Sequence, residues 1–241
     1  MKNPICISSG FLHRITDDIN ERIDKIIEFS LDGIGLHITE SQYLSNSEEV
    51  NKENLSYLQS LNFNSIHAPA GEFSYGSNEK SEKTLQAIEK MYKKINARNV
   101  VFHREQIGDI NVFNNYDFIA SIENGDWRRM GAKTPNQIGE ILKKSPNLKF
   151  TLDFAHALSV SPDDIPKYIN KFGDKLIEIH LSIIEPKTKE HWFIHKFDSK
   201  EIRNLLKCLK KTSVHIVLEC VAFNKNEICL IKEEIKYIKS I

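Results

Sequence analysis

Seven side chains able to hold a metal ion or move a proton stand at, or one turn past, the ends of short apolar runs. They are His67 in SIHAPA, His103 in VVFHRE, Glu123 in ASIENG, Asp153 and His156 in TLDFAHA, His180 in IEIHLS and Glu219 in IVLECV. Singly, each reads as a satisfied polar residue or a loop anchor, and an isolated DxxH is a weak motif. Together they imply a shared ion. Several buried carboxylates without a cation would repel one another, and each would carry a desolvation cost of several kcal/mol. A divalent ion removes both problems. Carboxylate and imidazole donors without a thiolate suit Zn or Mn, with Mg and Co also in range, rather than a structural zinc–sulfur site. Cys6 and Cys220 lie beside the same ends and read as small buried hydrophobes.

Such a set converges only if the fold brings the ends of many strands to one place. The chain reads as strands at Ile5–Ser8, Gly33–Ile38, Ser65–Ala68, Val100–His103, Phe118–Glu123, Lys149–Asp153, Leu176–Leu181 and Val214–Glu219. They look like continuous apolar runs, as strands covered on both faces should. Helical spacing separates them: Ile15, Ile19, Ile23, Ile26 and Ile27, then Leu85, Ile88, Met91, Tyr92 and Ile95. Thr134-Pro135 is an N-cap followed by proline at the first helical position, before Ile138, Ile141 and Leu142. Ser161-Pro162-Asp163 opens a helix that Gly173 closes, and Asp198 to Glu201 reads as a capping box before Ile202 and Leu206. Eight strands in 241 residues leave about 30 per unit, the size of a βα repeat in a (β/α)8 TIM barrel. No Pro/Gly-rich linker divides the chain, so residues 1–241 read as a single-domain α/β barrel, and no GxGxxG follows the first strand to suggest a doubly wound sheet. Only about 14 residues join His103 to Phe118, so the fourth helix should be abbreviated.

Composition narrows the function classes. Thirty-three basic residues balance 33 acidic ones, so no overall positive field holds nucleic acid, although a local groove stays open. No stretch approaches 18 apolar residues, the start MKNPICISSGFLHR is too short and polar for a signal peptide, and four cysteines form no CxxC pair. The expectation is a cytoplasmic protein with reduced thiols and no membrane partner.

HAP after strand three, His103 after four, IEN on five, LDxxH on six, HLS on seven and LE on eight together resemble the ladder of the xylose isomerase-like barrels, over residues 33 to 219. That superfamily includes sugar and sugar-phosphate isomerases and epimerases, and the endonuclease IV-type apurinic/apyrimidinic endonucleases (family 2). The resemblance implies that Glu123, Asp153, His180 and Glu219 hold a metal, that Glu123 and Glu219 transfer protons, and that His156 contacts a substrate oxygen. In the endonuclease branch His67, His103 and Glu123 bind a second zinc, and the DxxH histidine with an Asp-x-His binds a third. Here His156 and His191 match those histidines, but Lys189 stands where the aspartate should be, and His195 is a candidate substitute.

Three readings follow. In an isomerase or epimerase acting on a small sugar or sugar phosphate, a metal polarises the carbonyl while one glutamate removes a carbon-bound proton and the other returns it. Trp127 and Trp192 would cover the sugar or pack their loops, and Arg104, Arg128, Arg129, Lys187, Lys189 and Lys196 would bind an anionic group or form a solvated rim. In the second reading a zinc cluster cleaves abasic DNA, which His67 and His103 favour and Lys189 opposes. In the third the barrel binds metal without catalysis. His37 lies near the rim, His215 at the opposite end, and Glu178 shares the side of its strand with His180, as an acid whose partner the sequence does not name. Substrate, metal number and oligomeric state stay open at this stage.

Overall fold

The computed structural model describes residues 2–37, 50–70 and 74–241. Eight parallel strands close into a barrel: β1 (Ile5–Ser8), β2 (Gly33–His37), β3 (Phe63–His67), β4 (Asn99–His103), β5 (Ala120–Glu123), β6 (Lys149–Asp153), β7 (Leu176–Leu181) and β8 (His215–Leu218). Closure is made by β1 on β8, where Ile5, Cys6 and Ile7 face Ile216, Val217 and Leu218. The fold is the expected (β/α)8 barrel. Three strands match their expected spans and the others shift by one or two residues at an end; Ile38, read as the end of β2, lies outside the described residues.

Among the described residues the surrounding helices are α1 (Ile19–Ile27), α2 (Lys52–Ser60), α3 (Glu79–Lys94), α4 (Pro135–Lys144), α5 (Phe154–Val160), α6 (Asp164–Lys171), α7 (Lys200–Leu209) and α8 (Leu230–Ser240). None is long and apolar enough to cross a membrane. Two short 3-10 turns, Arg104–Gln106 and Ile110–Asn115, stand between β4 and β5 as the abbreviated fourth helix. Thr134 caps α4 in a full capping box with Gln137. The cap of α7 is Ser199, not Asp198: the Ser199 hydroxyl accepts from Ile202 N at 3.2 Å. Asp198 instead takes Arg203 and, at 2.6 Å, the Tyr237 hydroxyl.

The strands are not apolar on both faces. Outward residues such as Ile7, Ile34, Ile66, Phe102, Ile122, Leu152 and Ile179 join the helix side chains in one core. The opposite parity is different. Cys6, Phe63 and Val217 form a small separate cluster inside the barrel, and His215 stacks on Phe63 with ring centroids 3.8 Å apart. Above that floor the inward positions are polar and fully or nearly buried: Ser65, Asn99, Ser121, Thr151 and Glu178. Two residues further along four of these strands stand His67, Glu123, Asp153 and His180. Since successive side chains of a strand alternate sides, the polar interior and the chemistry-bearing rim are one pattern.

Gly33 lets β2 approach β3 closely: a Cβ there would lie 1.8 Å from the Phe63 carbonyl oxygen. Backbone cannot yield by that much. Gly33→Ala should therefore cost about 2–3 kcal/mol or more of stability, read as a fall in the urea midpoint. An unchanged midpoint would contradict the packing described.

Candidate metal centre

The barrel brings the four expected ligands together. Glu123, Asp153, His180 and Glu219 each offer one donor atom, all within 4.8 Å of one another. His180 Nδ1 lies 3.2 Å from Glu123 Oε1 and 3.3 Å from Glu219 Oε2. Its other nitrogen, Nε2, lies 3.1 Å from Glu178 Oε1. Asp153 caps α5, its Oδ1 accepting from His156 N at 2.6 Å. Asn124 locks the ends of β5 and β6 together by exchanging bonds of 2.8 and 2.9 Å with the Asp153 backbone.

Protonation shows what the cluster needs. Burial opposes ionisation of Glu123, yet His103, His180 and His67 hold it well below the usual carboxylate range. Burial opposes it at Glu219 too, and His180 brings that group down to about 2. Burial favours neutral His180, but Glu219, Glu123 and Glu178 push it well above the usual imidazole range. At Asp153 burial, partly opposed by His191 and reinforced by Glu123 and Glu219, pushes the carboxyl well above its usual range. Burial and the crowding of acids thus favour added protons at His180 and Asp153, positive charge of the kind a divalent ion would supply. Buried Asp153 Oδ2 has no hydrogen-bond partner, and Glu123 Oε2 has only imidazole rings beside it, His103 Nε2 at 2.8 Å being the nearer. An orphaned carboxylate oxygen beside an imidazole fits a hard or borderline cation.

The further histidines divide. His67 meets Ala68 O through Nδ1 at 3.0 Å, which puts the proton there and turns Nε2 towards Glu123 Oε2, 3.7 Å away. With Glu123 and His180 it forms a second possible donor group. His103 is oriented the other way. Arg129 Nη1, which can only donate, lies 2.7 Å from His103 Nδ1, so the imidazole proton sits on Nε2, facing Glu123 Oε2 at 2.8 Å. Burial, with Arg129 adding to it, lowers His103 to about 4, so the ring is neutral near pH 7. With its proton on Nε2 the ring offers that nitrogen as a donor to Glu123, and His103 belongs to none of the possible donor groups found among the described residues.

His156 gives Nδ1–H to Asn124 O at 2.9 Å, leaving Nε2 as an acceptor on the cavity wall. Asp153, His156 and His191 form a third donor group. Lys189, in the aspartate position, sits at the tip of the hairpin formed by Ile183–Ile184 and His191–Trp192, with φ +62°. His195 does not replace that aspartate: its Nδ1 is 2.6 Å from Glu234 of α8, outside the cavity.

Glu123 and Glu219 of the cluster line a cavity of about 240 Å³, together with His13, His37, Arg129 and Glu190. Burial, helped by His67, lowers His37 to about 3, so it enters the site as a neutral ring. Half of the anticipated positive rim is paired with acids, Arg128 with Asp126, Arg129 with Glu105 and Lys196 with Glu233, while Arg104 bonds Ile107 O. Of the six cations only Arg129 lines the cavity. Trp192 stacks on Phe223 and packs its loop, whereas Trp127 is 55% exposed and outside the cavity lining. Glu190 gave no signal in the sequence, and the roles that Arg129 and Asn124 take here, orienting His103 and tying Asp153, depend on loop conformation.

No family model and no curated protein matches the chain. Solved structures do. A D-tagatose 3-epimerase-like protein superposes with TM-score 0.68 at 18% identity, over 98% of each chain. A 3-keto-D-glucoside 4-epimerase from E. coli gives TM-score 0.70 at 12% identity, over 100% of each chain. Endonuclease IV from Thermus thermophilus gives 0.69 at 11% identity, over 99% of this chain and 100% of that one. The chain shares its fold with these three proteins. At these identities the likeness speaks to fold alone, and one fold carries more than one chemistry.

Calorimetry of zinc or manganese added to chelator-treated protein should give one ion per chain, with protons released on binding. Because His180 and Asp153 both hold raised-pKa protons that the ion must displace, affinity should rise with pH. Asp153→Asn should abolish binding. Binding that is unaffected by pH and by that substitution would place the ion elsewhere.

Proposed function

We propose that this chain is a divalent-metal-dependent isomerase or epimerase of a small sugar or sugar phosphate, with zinc or manganese in the cluster of Glu123, Asp153, His180 and Glu219. One observation supports it above the others: two carboxylates held ionised, Glu123 and Glu219, line one sugar-sized cavity and flank the same imidazole. A divalent ion bound there would supply Lewis-acid polarisation of a carbonyl. The chain's own residues do the rest. One glutamate takes a proton from the carbon beside the carbonyl and is thereby protonated; it returns that proton to the neighbouring carbon, or a water held by the other glutamate delivers one to the opposite face. The low pKa values keep both ionised before the reaction. Glu219, with its side chain 15% exposed, is the more accessible and Glu123 the deeper. His156 Nε2 accepts a bond from a substrate hydroxyl.

The endonuclease reading is the runner-up, favoured by the way His67 turns Nε2 towards Glu123. Against it stand the Nε2 proton that Arg129 imposes on His103 and Lys189 in place of an acid.

Incubation of the metal-loaded protein with a panel of ketoses in deuterium oxide tests the proposal. We expect deuterium at a carbon next to the carbonyl by proton NMR, slowed roughly 10²-fold or more in Glu123→Gln and in Glu219→Gln. Near-normal exchange in either variant would remove its proton-transfer role. Nicking of an abasic duplex, with no exchange on any ketose, would establish the runner-up instead.

A further inference from the structure

The proposed reaction leaves one buried acid without a task. Glu178 is fully buried on the inward face of β7, two residues before His180. A carboxylate inside a barrel is costly unless its oxygens are satisfied, and here they are. Ser65 Oγ donates to Oε1 at 2.8 Å and Asn99 Nδ2 donates to Oε2 at 2.8 Å. Asn99 also reaches Thr151 Oγ1 at 3.3 Å, and Thr151 shares a 2.7 Å bond with Ser121. These strands thus contribute a polar platform beneath the ligand cluster that holds Glu178 in one orientation.

We infer that Glu178 is a positioning residue: by accepting from His180 Nε2 it fixes Nδ1 as the nitrogen turned to the ion. The inference rests on reading His180 as a ligand. A neutral imidazole has one N–H and one lone pair, so an obligate acceptor at Nε2 decides where the lone pair goes. Nδ1 is the nitrogen that meets Glu123 Oε1 and Glu219 Oε2, the position the ion would share with them. A carboxylate behind a ligand histidine also strengthens it as a donor, and loss of such partners typically costs 10–100-fold in metal affinity. Ser65 and Asn99 hold the carboxylate to that task, since each donates to it from below.

Glu178→Gln is the informative variant. Its amide oxygen can still accept from Nε2, and its amide nitrogen faces Asn99, whose Oδ1 has no partner and can accept after an amide flip. Shape is conserved and charge is lost. Zinc affinity by competition with a chromophoric chelator should fall about tenfold in Glu178→Gln, and up to about 100-fold in Glu178→Leu, with circular dichroism unchanged. Long-range proton–nitrogen NMR of the ¹⁵N-histidine wild type loaded with zinc gives a second readout that needs no variant. It should show His180 metallated at Nδ1 and protonated at Nε2. Metal on Nε2, or wild-type affinity in Glu178→Gln, would overturn the inference. If the wild type takes up no zinc, the reading of the cluster as a metal centre fails, and this inference fails with it.

Discussion

Three carboxylates at one end of a barrel, drawn into a space where donor atoms lie within 4.8 Å, are the constraint around which the structure is arranged. Like charges at that separation, shielded from water, cannot all persist without a counter-charge. The protein meets the demand by protonating His180 and raising Asp153, and by surrounding Glu123 with histidines. Every contact of this kind is one that a divalent ion could replace. The site is therefore best understood as a set of donors held in readiness by protons.

Holding those donors is the work of strand parity. The outward faces of the strands bury Ile, Leu and Phe against the helices and supply the apolar core. Their inward faces hold hydroxyls, an amide and Glu178, so that the layer under the ion is hydrogen-bonded rather than greasy. The rim is then braced from above. Arg129 fixes the tautomer of His103, Asn124 ties β5 to β6, and Asp153 is at once a helix cap and a ligand candidate. Each brace leaves a chosen nitrogen or oxygen facing the cavity.

The ladder of His67, His103, Glu123, Asp153, His180 and Glu219 is legible in the chain because each residue terminates an apolar run, and parallel strands bring such ends together. The barrel follows from the alternation of runs and helical spacings. The polar interior is only partly legible, because Thr151 and Glu178 sit singly between large apolar neighbours and leave the runs looking continuous. Residue type alone places His103 with the ligands; only the position of Arg129, on a loop, shows which of its nitrogens carries the proton. The cap of α7 falls one residue later than the sequence suggests, since Asp198 and Ser199 are both good caps and the backbone chooses between them.

Anomalous diffraction at the zinc or manganese edge, from crystals soaked in the ion, puts the account to its most direct trial. The account predicts a single strong peak enclosed by Glu123, Asp153, Glu219 and Nδ1 of His180, with His103 outside the coordination sphere. A peak elsewhere, no peak at all, or a second one bound by His103 Nε2 would contradict it.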